Sequence, residues 1–413
     1  MIAGSSWTAL MTLNLSCILA CASVLAGPAG SAPRAQAPPT PVLEPVSILA
    51  ADGAVLRGRR LRGGNVPIVL IHGLASCFHQ FDLDTAEAPA LAQFLARRGG
   101  DVWLVNLRGA GRGTDASTIA PGKKSWCADE HILEDLPAIA AHLKATGVER
   151  PFLLGHSLGG MVIAAYLAGA VKIAPANIDA GVRIDPEVAR ARNEQVRGAI
   201  FLSAPARIAW PEGLEPPALE GLAKLGRKPL HMLLPPRLPV SVLNVDAERD
   251  AGLLERAAEK VVEQLDALLG RTPWTLLAFG EQNTATVRRL LGKVRGGVLG
   301  DTSEDLLLQL ALGAREGTWP SWRGPEDKRI DYSEHYANIT IPVFAGVGDK
   351  DQVASASVID ESLVKKVGSA DRRLVVFPGY GHSDITLADG AHGDVFVTLW
   401  EWISGRAAPR VTR

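Results

Sequence analysis

The chain has 413 residues, which is long for one compact unit and favours a core domain carrying a substantial insertion. Apolar residues make up 47% of it and charged residues 21%, as is typical of a folded globular protein. Because the formal net charge is only -1, nothing in the electrostatics favours a nucleic-acid partner, and we expect a neutral or apolar small molecule instead.

The first 32 residues are predicted to be a signal peptide or lipoprotein leader. They contain no charged side chain, and residues 7–26 are almost entirely apolar or small, a length that suits a signal core or a single span. We therefore predict export, with the mature chain periplasmic or secreted. The run Ile18-Leu19-Ala20-Cys21 is also similar to a bacterial lipobox, which would attach the chain to a membrane through a lipid on Cys21. A cysteine inside an ordinary signal core is the alternative.

Residues 33–45 are rich in Pro and Ala and predict a linker, so the folded core should begin near residue 46. An alternating pattern over Ser47–Leu61, interrupted by Asp52-Gly53, predicts a β-hairpin. Short continuous apolar runs then predict strands buried on both faces, at Pro67–Ile71, Val102–Val105, Arg150–Leu154, Ala199–Leu202, Ile341–Ala345 and Arg373–Phe377. Helical patterns occur between or after them at Ala88–Arg98, Leu158–Ala170 and Asp394–Ile403. This alternation predicts an α/β fold with a mostly parallel sheet flanked by helices, formed by residues 46–205 and 339–413.

Between residues 206 and 338 the alternation stops. Apolar residues at every fourth position predict an amphipathic helix over Asp250–Gly270. A second helix is predicted over Glu304–Leu312, with Thr302 and Asp305 in the spacing of a capping box. We therefore predict a large helical cap inserted between late strands of the sheet. Residues 170–197 form a smaller insertion without a clear signature.

The motif Gly155-His156-Ser157-Leu158-Gly159 lies between a predicted strand and a predicted helix, and this context makes a G-x-S-x-G pattern specific. A nucleophilic serine on such a sharp turn needs neighbours without Cβ atoms, which explains the two glycines. Ser157 is therefore the predicted nucleophile. His156 is expected to pack or to form a hydrogen bond, because a strained turn points adjacent side chains apart.

A serine hydroxyl is a weak nucleophile at neutral pH, so a histidine must accept its proton and a carboxylate must orient that histidine. After a strand–turn–helix serine, the order along the chain is acid and then histidine. His382, in a glycine-containing loop after the strand Arg373–Phe377, is the predicted general base. Three weaker candidates are His392, His335 and His231. For the acid, Asp351 is favoured over Asp349, which next to Lys350 has the pattern of a solvated turn residue.

Two backbone donors must also stabilise the oxyanion of the tetrahedral intermediate. The amide of Leu158 is one candidate because it directly follows the serine. The amide of Leu74 is the other, because His72-Gly73-Leu74 stands where an early strand ends.

Two cysteines remain after the leader, Cys77 and Cys127, and they are expected to be either free thiols or one bridge in an oxidising compartment. His72, Cys77 and His79 have the residue types of a metal site, but no second group of ligands follows, so no metal is predicted. Gly109, Gly111 and Gly113 lack the full spacing of a dinucleotide loop, so no cofactor is predicted either.

Together these motifs resemble the α/β-hydrolase superfamily from about residue 46 to the C-terminus. His72-Gly73-Leu74-Ala75-Ser76, Asn106-Leu107-Arg108-Gly109-Ala110-Gly111 and the Ser157 motif are similar to its lipase and esterase members. The segment from Asp331-Tyr332 to Ile341-Pro342-Val343, with Gly381-His382-Ser383-Asp384, is similar to the acid and gastric lipase branch and its bacterial relatives. The resemblance implies hydrolysis of carboxylic esters, often acyl glycerols. Asn106 stands where many relatives carry Asp, so the structural role of that side chain is open.

The leading hypothesis is therefore an esterase or lipase that acts on apolar acyl substrates through an acyl-enzyme. An acyltransferase would use the same three residues, and no residue of the sequence separates the two. A non-catalytic binding protein is the third alternative, although it would be expected to lack one of the three. Four tryptophans of the predicted cap could line an apolar pocket, or could be ordinary core residues: Trp210, Trp274, Trp319 and Trp322.

Overall fold

The computed structural model describes residues 43–83, 88–207, 236–238 and 297–407. The leader, most of the predicted cap and the predicted helix Asp250–Gly270 lie outside these ranges. Export and a lipid on Cys21 accordingly stay predictions.

A central sheet contains eight strands: β1 (Leu43–Leu49), β2 (Val55–Arg62), β3 (Val66–Ile71), β4 (Gly100–Val105), β5 (Phe152–His156), β6 (Gly198–Leu202), β7 (Val343–Gly348) and β8 (Arg372–Phe377). Their spatial order is β1-β2-β4-β3-β5-β6-β7-β8. β2 pairs antiparallel with both β1 and β4, and the other five pairings are parallel. The predicted α/β fold with a mostly parallel sheet is confirmed.

The antiparallel edge of the sheet is the predicted hairpin. β1 and β2 pair from Leu43↔Leu61 to Leu49↔Val55, and the turn between them includes Gly53 at φ +87°. A positive φ is strained for residues that carry a Cβ atom, which accounts for the glycine. The strand starts at Leu43, inside the stretch 33–45 that was predicted as a linker, because residues 43–45 complete the ladder with β2.

In the part of the chain that the structure describes, six longer helices accompany the sheet: α1 (Leu91–Arg97), α2 (Leu136–Ala145), α3 (Leu158–Leu167), α4 (Pro186–Glu194), α5 (Glu304–Glu316) and α6 (Val395–Ala407). α2 continues from a helical turn, Ala128–Glu130, and a π-helical turn, His131–Asp135. Shorter helical segments occur at Phe78–Phe81, Gly113–Asp115, Glu326–Lys328, Tyr332–Asn338, Ala356–Ile359, Asp360–Val364, Asp384–Leu387 and Asp389–His392. Within the described ranges, none of these helices combines the length and the hydropathy required to cross a membrane.

The core is divided into two layers by the sheet, because successive side chains of a strand point to opposite faces. Val69 and Ile71 of β3 belong to the cluster that includes residues of α2 and α3. Ile68 and Leu70 belong to the cluster that includes residues of α1 and α6. All four side chains are at most 1% exposed. The double burial explains the continuous apolar run from which the strand was predicted.

The insertion at residues 170–197 has regular structure that the sequence pattern did not indicate. The strands Ala170–Ala174 and Asn177–Ile184 form an antiparallel hairpin, and α4 follows. Asp185 caps α4 by accepting hydrogen bonds from the amides of Glu187 and Val188, and Pro186 is its first residue. An Asp-Pro pair of this kind is a recognisable signal for the start of a helix.

The predicted helix Glu304–Leu312 is present as α5, which begins at Glu304 as predicted but has a different capping residue and a later end. Ser303, not Thr302, is the capping residue, and its hydroxyl accepts a hydrogen bond from the amide of Leu306. The backbones of Thr302 and Ser303 also pair antiparallel with the two-residue strand Arg237–Leu238. The helix ends later than predicted because Gly317 adopts a left-handed conformation at φ +64°.

Two of the four tryptophans assigned to the cap are core residues. Trp319 is fully buried and Trp322 is 4% exposed, and the indole nitrogen of Trp322 donates to Asp305. The backbone amide of Trp322 donates to Asp129, which ties this segment to the helical turn before α2. Trp210 and Trp274 lie outside the described residues.

Cys77 and Cys127 are both buried free thiols, which corrects the alternative of a disulfide between them. The Cys77 thiol donates to the carbonyl of Gly297 at 3.2 Å, and the Cys127 thiol donates to Glu130 at 3.0 Å. Burial raises the pKa of the Cys77 thiol to about 12, so this thiol is protonated and unreactive at neutral pH.

Candidate active site

Ser157 lies on the turn that joins β5 to α3, in the strained conformation φ 52°, ψ -124°. A Cβ atom on Gly155 would lie 2.3 Å from the amide nitrogen of Gly160, and one on Gly159 would lie 2.3 Å from the carbonyl oxygen of Ile71. Both glycines are therefore required by close backbone packing. The turn is held further by the amide of Ser157, which donates to the carbonyl of Leu202 on the next strand.

His382 and Asp351 reach Ser157 from the loops after the last two strands of the sheet. Nε2 of His382 lies 2.9 Å from Oγ of Ser157. Nδ1 of His382 lies 3.0 and 3.1 Å from the two carboxylate oxygens of Asp351. Because a carboxylate only accepts, Nδ1 carries a proton and Nε2 presents its lone pair to the serine hydroxyl. The three side chains thus form one hydrogen-bonded chain, although Ser157 and His382 are 225 positions apart in the sequence.

Asp351 is held as a hydrogen-bond acceptor by its own turn. Its Oδ1 accepts hydrogen bonds from the amides of Val353 and Ala354 at 2.9 and 2.8 Å. The side chain is fully buried, so its orientation toward His382 is set by protein contacts. Asp349, the other candidate acid, accepts from the amide of Gly379 and pairs with Lys350 at the surface.

The remaining histidines fall elsewhere. His392 contacts the carbonyl of Asp389 through Nδ1 at 2.6 Å, and His335 is half-buried in the Tyr332–Asn338 segment. His231 lies outside the described residues. Of the three candidate histidines that the structure describes, His382 is therefore the one that contacts Ser157.

His156 supports His382, a role that the sequence analysis left unspecified. Its Nε2 donates to the backbone carbonyl of His382 at 2.8 Å, and the two rings lie 5.0 Å apart. Burial, reinforced by repulsion from His382, lowers the pKa of His156 to about 3, so it stays neutral and keeps donating at physiological pH. No local pattern could reveal this contact, because the two residues are 226 positions apart.

The two amides predicted to bind an oxyanion belong to the residue after Ser157 and to the loop after β3, where a Cβ atom on Gly73 would lie 3.2 Å from Cβ of Ser157. Leu158 is the first residue of α3, a position whose amide has no acceptor within the helix. Leu74 follows Gly73, whose carbonyl accepts a hydrogen bond from Nδ1 of His72 at 2.9 Å. Since the carbonyl and the amide of one peptide unit point in opposite directions, this bond also orients the Leu74 amide. Nε2 of His72 accepts from the amide of Leu107, and burial lowers the pKa of His72 to about 4, so the ring remains neutral.

Residues 297–300 run along the loop that contains Leu74. The Cys77 amide donates to the carbonyl of Val298, and the Gly300 amide donates to the carbonyl of Ala75. A Cβ atom on Gly300 would lie 2.2 Å from the carbonyl oxygen of Ser76, so only glycine allows this approach. The segment leading into α5 therefore supports the loop that carries one of the two amides.

The side-chain amide of Asn106 links the loop that contains Leu74 and Phe78 to the loop that contains Asp115, because its oxygen and its nitrogen both form hydrogen bonds. Its Oδ1 accepts from the amide of Phe78 at 2.7 Å, and its Nδ2 donates to the carbonyl of Asp115 at 2.8 Å. The side chain is fully buried. An ionised aspartate could not make the second bond, which explains the asparagine at a position where the resemblance implies aspartate.

The glycines after Asn106 also have structural roles. A Cβ atom on Gly109 would lie 2.3 Å from the Trp126 ring, and one on Gly111 would lie 2.2 Å from the carbonyl oxygen of Asp115. Among the residues that the structure describes, no three His, Cys, Asp or Glu side chains are grouped to hold a metal ion.

The mostly parallel sheet, with a strained serine turn after its central strand β5, defines the class of protein: the chain has the α/β-hydrolase fold. Residues 66–207 match the family model described as the alpha/beta hydrolase fold. Two solved structures share the fold over most of the chain. A thermophilic esterase from Thermogutta terrifontis is 17% identical with a TM-score of 0.52, covering 88% of this chain and 100% of that one. A monoacylglycerol lipase from Paleococcus ferrophilus is 17% identical with a TM-score of 0.50, covering 84% and 99%.

Sequence relatives with described activities include two lipases. "Triacylglycerol lipase 2" of Arabidopsis thaliana is 29% identical over 129 residues, 28% of this chain and 31% of the relative. "Lipase 1" of Drosophila melanogaster is 35% identical over 117 residues, 27% of this chain and 26% of the relative. The matched segments thus span less than a third of either lipase, and over that part the chain is similar to lipases.

Proposed function

We propose that the protein is a serine hydrolase that cleaves carboxylic esters through an acyl-enzyme on Ser157. The observation that carries the proposal is the hydrogen-bonded chain Ser157–His382–Asp351, with 2.9 Å between Nε2 and Oγ and 3.0 Å between Nδ1 and the carboxylate. Nucleophile, base and orienting acid in this arrangement are the elements that acyl transfer to a serine requires.

In the first step, Oγ of Ser157 attacks the ester carbonyl carbon while its proton passes to Nε2 of His382. The imidazolium that forms is stabilised by Asp351, whose buried carboxylate already accepts the Nδ1 proton. The negative charge on the former carbonyl oxygen is then stabilised by the amides of Leu74 and Leu158. Collapse of this intermediate breaks the ester C–O bond, and Nε2 returns the proton to the leaving alcohol.

Water completes the cycle by the same route. Nε2 of His382 takes a proton from water, the hydroxide adds to the acyl carbon, and collapse releases the carboxylic acid and restores the Ser157 hydroxyl. His156 keeps the base in place by holding the His382 carbonyl, and its lowered pKa means that it does not compete for the transferred proton.

The proposed substrates are esters of apolar acyl groups, which includes acyl glycerols. The support is that the two sequence relatives are named lipases and that the described fold is shared with an esterase and a monoacylglycerol lipase. The predicted helical cap over residues 206–338 and the predicted export of the chain belong to the same proposal, since a lid and an extracytoplasmic location suit a lipase.

The test is hydrolysis of a series of p-nitrophenyl esters by the wild type, Ser157→Ala and Ser203→Ala. Ser203 is a matched control because it directly follows a neighbouring strand, is fully buried and also has a positive φ of 47°. We expect Ser157→Ala to lose at least about 10³-fold in kcat and Ser203→Ala to stay near the wild type. A phosphonate inhibitor should add its mass to the wild type and not to Ser157→Ala.

Equal rates for wild type and Ser157→Ala would overturn the proposed mechanism. A rate that falls steeply beyond short acyl chains would indicate an esterase rather than a lipase. Product analysis with added alcohol separates hydrolysis from acyl transfer, because a transferase would form the new ester in preference to the free acid.

A further inference from the structure

A cavity of about 420 Å³ opens at the end of β5 opposite to Ser157. Arg150 and Pro151, which directly precede β5, belong to its lining, whereas Ser157 directly follows the strand. Ser157 lies six positions after Pro151 along this extended chain, a distance of roughly 20 Å at about 3.3 Å per residue. The volume falls within the range of small-molecule sites, and the mouth of this cavity is distinct from the candidate active site.

The walls of the cavity are apolar. Ile71 and Leu153 of the sheet line one side, Ile139 and Leu143 of α2 line another, and Ile163 of α3 contributes to a third. All five side chains belong to the core layer covered by α2 and α3, and none is more than 8% exposed. Apolar walls of this kind favour an aliphatic ligand, because its burial there removes apolar surface from water.

Arg192 of α4 adds a half-buried cation to this apolar lining. Its guanidinium lies over the ring of Tyr166 at 4.0 Å, and its Nη1 donates to the carbonyls of Tyr166 and Ala170 at 2.7 and 2.9 Å. Among the described residues, no carboxylate oxygen lies within 4 Å of it. Burial lowers the pKa of Arg192, and the opposing effects of Tyr166 and of the Asp185 carboxylate do not offset it.

The rim of the cavity is also charged. Besides Arg192, the rim includes the cations Lys144 and Arg150 and the carboxylates Glu149 and Glu194. Lys144, Arg150 and both glutamates are exposed, so water screens them, and Arg192 is the half-buried charge at this site.

We propose that this cavity binds a medium- or long-chain carboxylate, with the aliphatic chain between the sheet, α2 and α3 and the carboxylate on Arg192. Nη2 and Nε of the guanidinium are available for a carboxylate, because both backbone hydrogen bonds use Nη1. The proposal goes beyond the ester-hydrolase function and does not depend on it. A carboxylate bound here lies too far from Ser157 to be the substrate in the act of cleavage.

The test measures binding of decanoate and 1-decanol to the full-length chain by calorimetry, in the wild type and in Ser157→Ala. We expect both proteins to bind one decanoate, with octanoate about fifteenfold weaker because about fourfold in affinity accompanies each buried methylene. Decanol should bind at least tenfold more weakly than decanoate, because it brings no anion to Arg192.

Two variants locate the ligand. Ala140→Trp places an indole in the lining of the cavity and should weaken decanoate binding at least tenfold. Arg192→Gln should abolish the preference for decanoate over decanol while leaving decanol binding unchanged, an effect that a merely structural role would not produce.

Arg197→Gln is the matched control. Arg197 is also half-buried, also donates to a backbone carbonyl and also faces an aromatic ring, but it lies outside the lining. If Arg192→Gln does not fold, Arg192→Lys should retain the preference for the carboxylate and Arg197→Lys is its control.

Three results would overturn the proposal. Decanoate that does not bind the wild type at its solubility limit would show that the cavity takes no acyl chain. Binding that Ala140→Trp leaves unchanged would place the ligand elsewhere. Binding that disappears when a phosphonate occupies Ser157 would place it in the candidate active site, and this last result would leave the proposed hydrolase function intact.

Discussion

Replacing Asn106 by aspartate tests why this chain has an amide at a position where many similar hydrolases have a carboxylate. In the wild type, Nδ2 of Asn106 donates to the carbonyl of Asp115 at 2.8 Å while Oδ1 accepts from the amide of Phe78. In Asn106→Asp the oxygen that replaces Nδ2 would face a carbonyl oxygen at this distance. The pair is compatible only if the new carboxyl carries a proton, so folding should raise its pKa.

The magnitude follows from the burial of the side chain, which is complete. Buried carboxyl groups have a pKa raised by roughly 3–5 units, and each unit corresponds to about 1.4 kcal/mol. An acid with a raised folded-state pKa is tolerated at low pH and destabilises the fold as pH rises above the unfolded value of about 3.9. With a rise of about three units, the loss of unfolding free energy should grow from about 1.5 kcal/mol at pH 5 to about 4 kcal/mol at pH 8.

Urea unfolding of wild type and Asn106→Asp at pH 5 and pH 8 measures this difference, and contributions from other titrating groups cancel in the comparison. Asn106→Ala is the control, because it loses both hydrogen bonds without introducing a titratable group, so its destabilisation should not depend on pH. An Asn106→Asp protein that matches the wild type at both pH values would refute the reasoning. It would mean that the loops containing Phe78 and Asp115 rearrange at little cost.

Two further predictions concern the buried histidines. His156→Phe keeps an aromatic ring at this position but removes the donor to the His382 carbonyl, so we expect kcat for p-nitrophenyl butyrate to fall about tenfold with KM unchanged. His156→Gln, which can still donate a hydrogen bond, should retain more activity. An unchanged kcat in His156→Phe would contradict a positioning role for His156. The lowered pKa values of His72 and His156, about 4 and about 3, mean that the unfolded chain binds more protons than the folded one below about pH 6.5, so stability should fall with pH. The unfolding free energy should drop by about 4 kcal/mol between pH 7 and pH 5, less whatever Asp129 recovers through its raised pKa. Each ring accounts for about half of this drop, so a loss of about 2 kcal/mol by urea unfolding would show that one ring is charged in the fold, and a loss below about 1 kcal/mol would show that both are.

Much of the fold could be predicted because buried parallel strands leave a direct trace in sequence. β3 was predicted as Pro67–Ile71 and spans Val66–Ile71, since its side chains on both faces meet other apolar groups. The strand before the serine was predicted over Arg150–Leu154 and spans Phe152–His156. The shift arises because Gly155 and His156 still pair with β6, although their residue types resemble a turn.

The hairpin Ala170–Ala174 and Asn177–Ile184 was missed for the opposite reason. Its side chains are largely exposed or half-buried, and charged residues alternate with apolar ones without a clear period. The sequence patterns also predicted neither α2 nor the helical turns of residues 128–135 that precede it. The turns are the clearer case. Their buried face consists largely of polar side chains, among them Asp129, whose carboxylate accepts from the Tyr332 hydroxyl and from two backbone amides. Hydrophobic periodicity cannot detect a helix whose buried face is polar.

The candidate site divides in the same way between local and distant determinants. Ser157, Asp351 and His382 each follow a strand directly or within a few residues, so the order of strand ends was enough to group them. The groups that hold these residues in place come from far along the chain: His156 holds His382 across 226 positions. Gly297 contacts the loop that contains the Leu74 amide across 220 positions. Substitutions at such supporting positions should therefore change kcat while leaving every sequence motif of the hydrolase intact, and a motif alone cannot tell an active member of this fold from an inactive one.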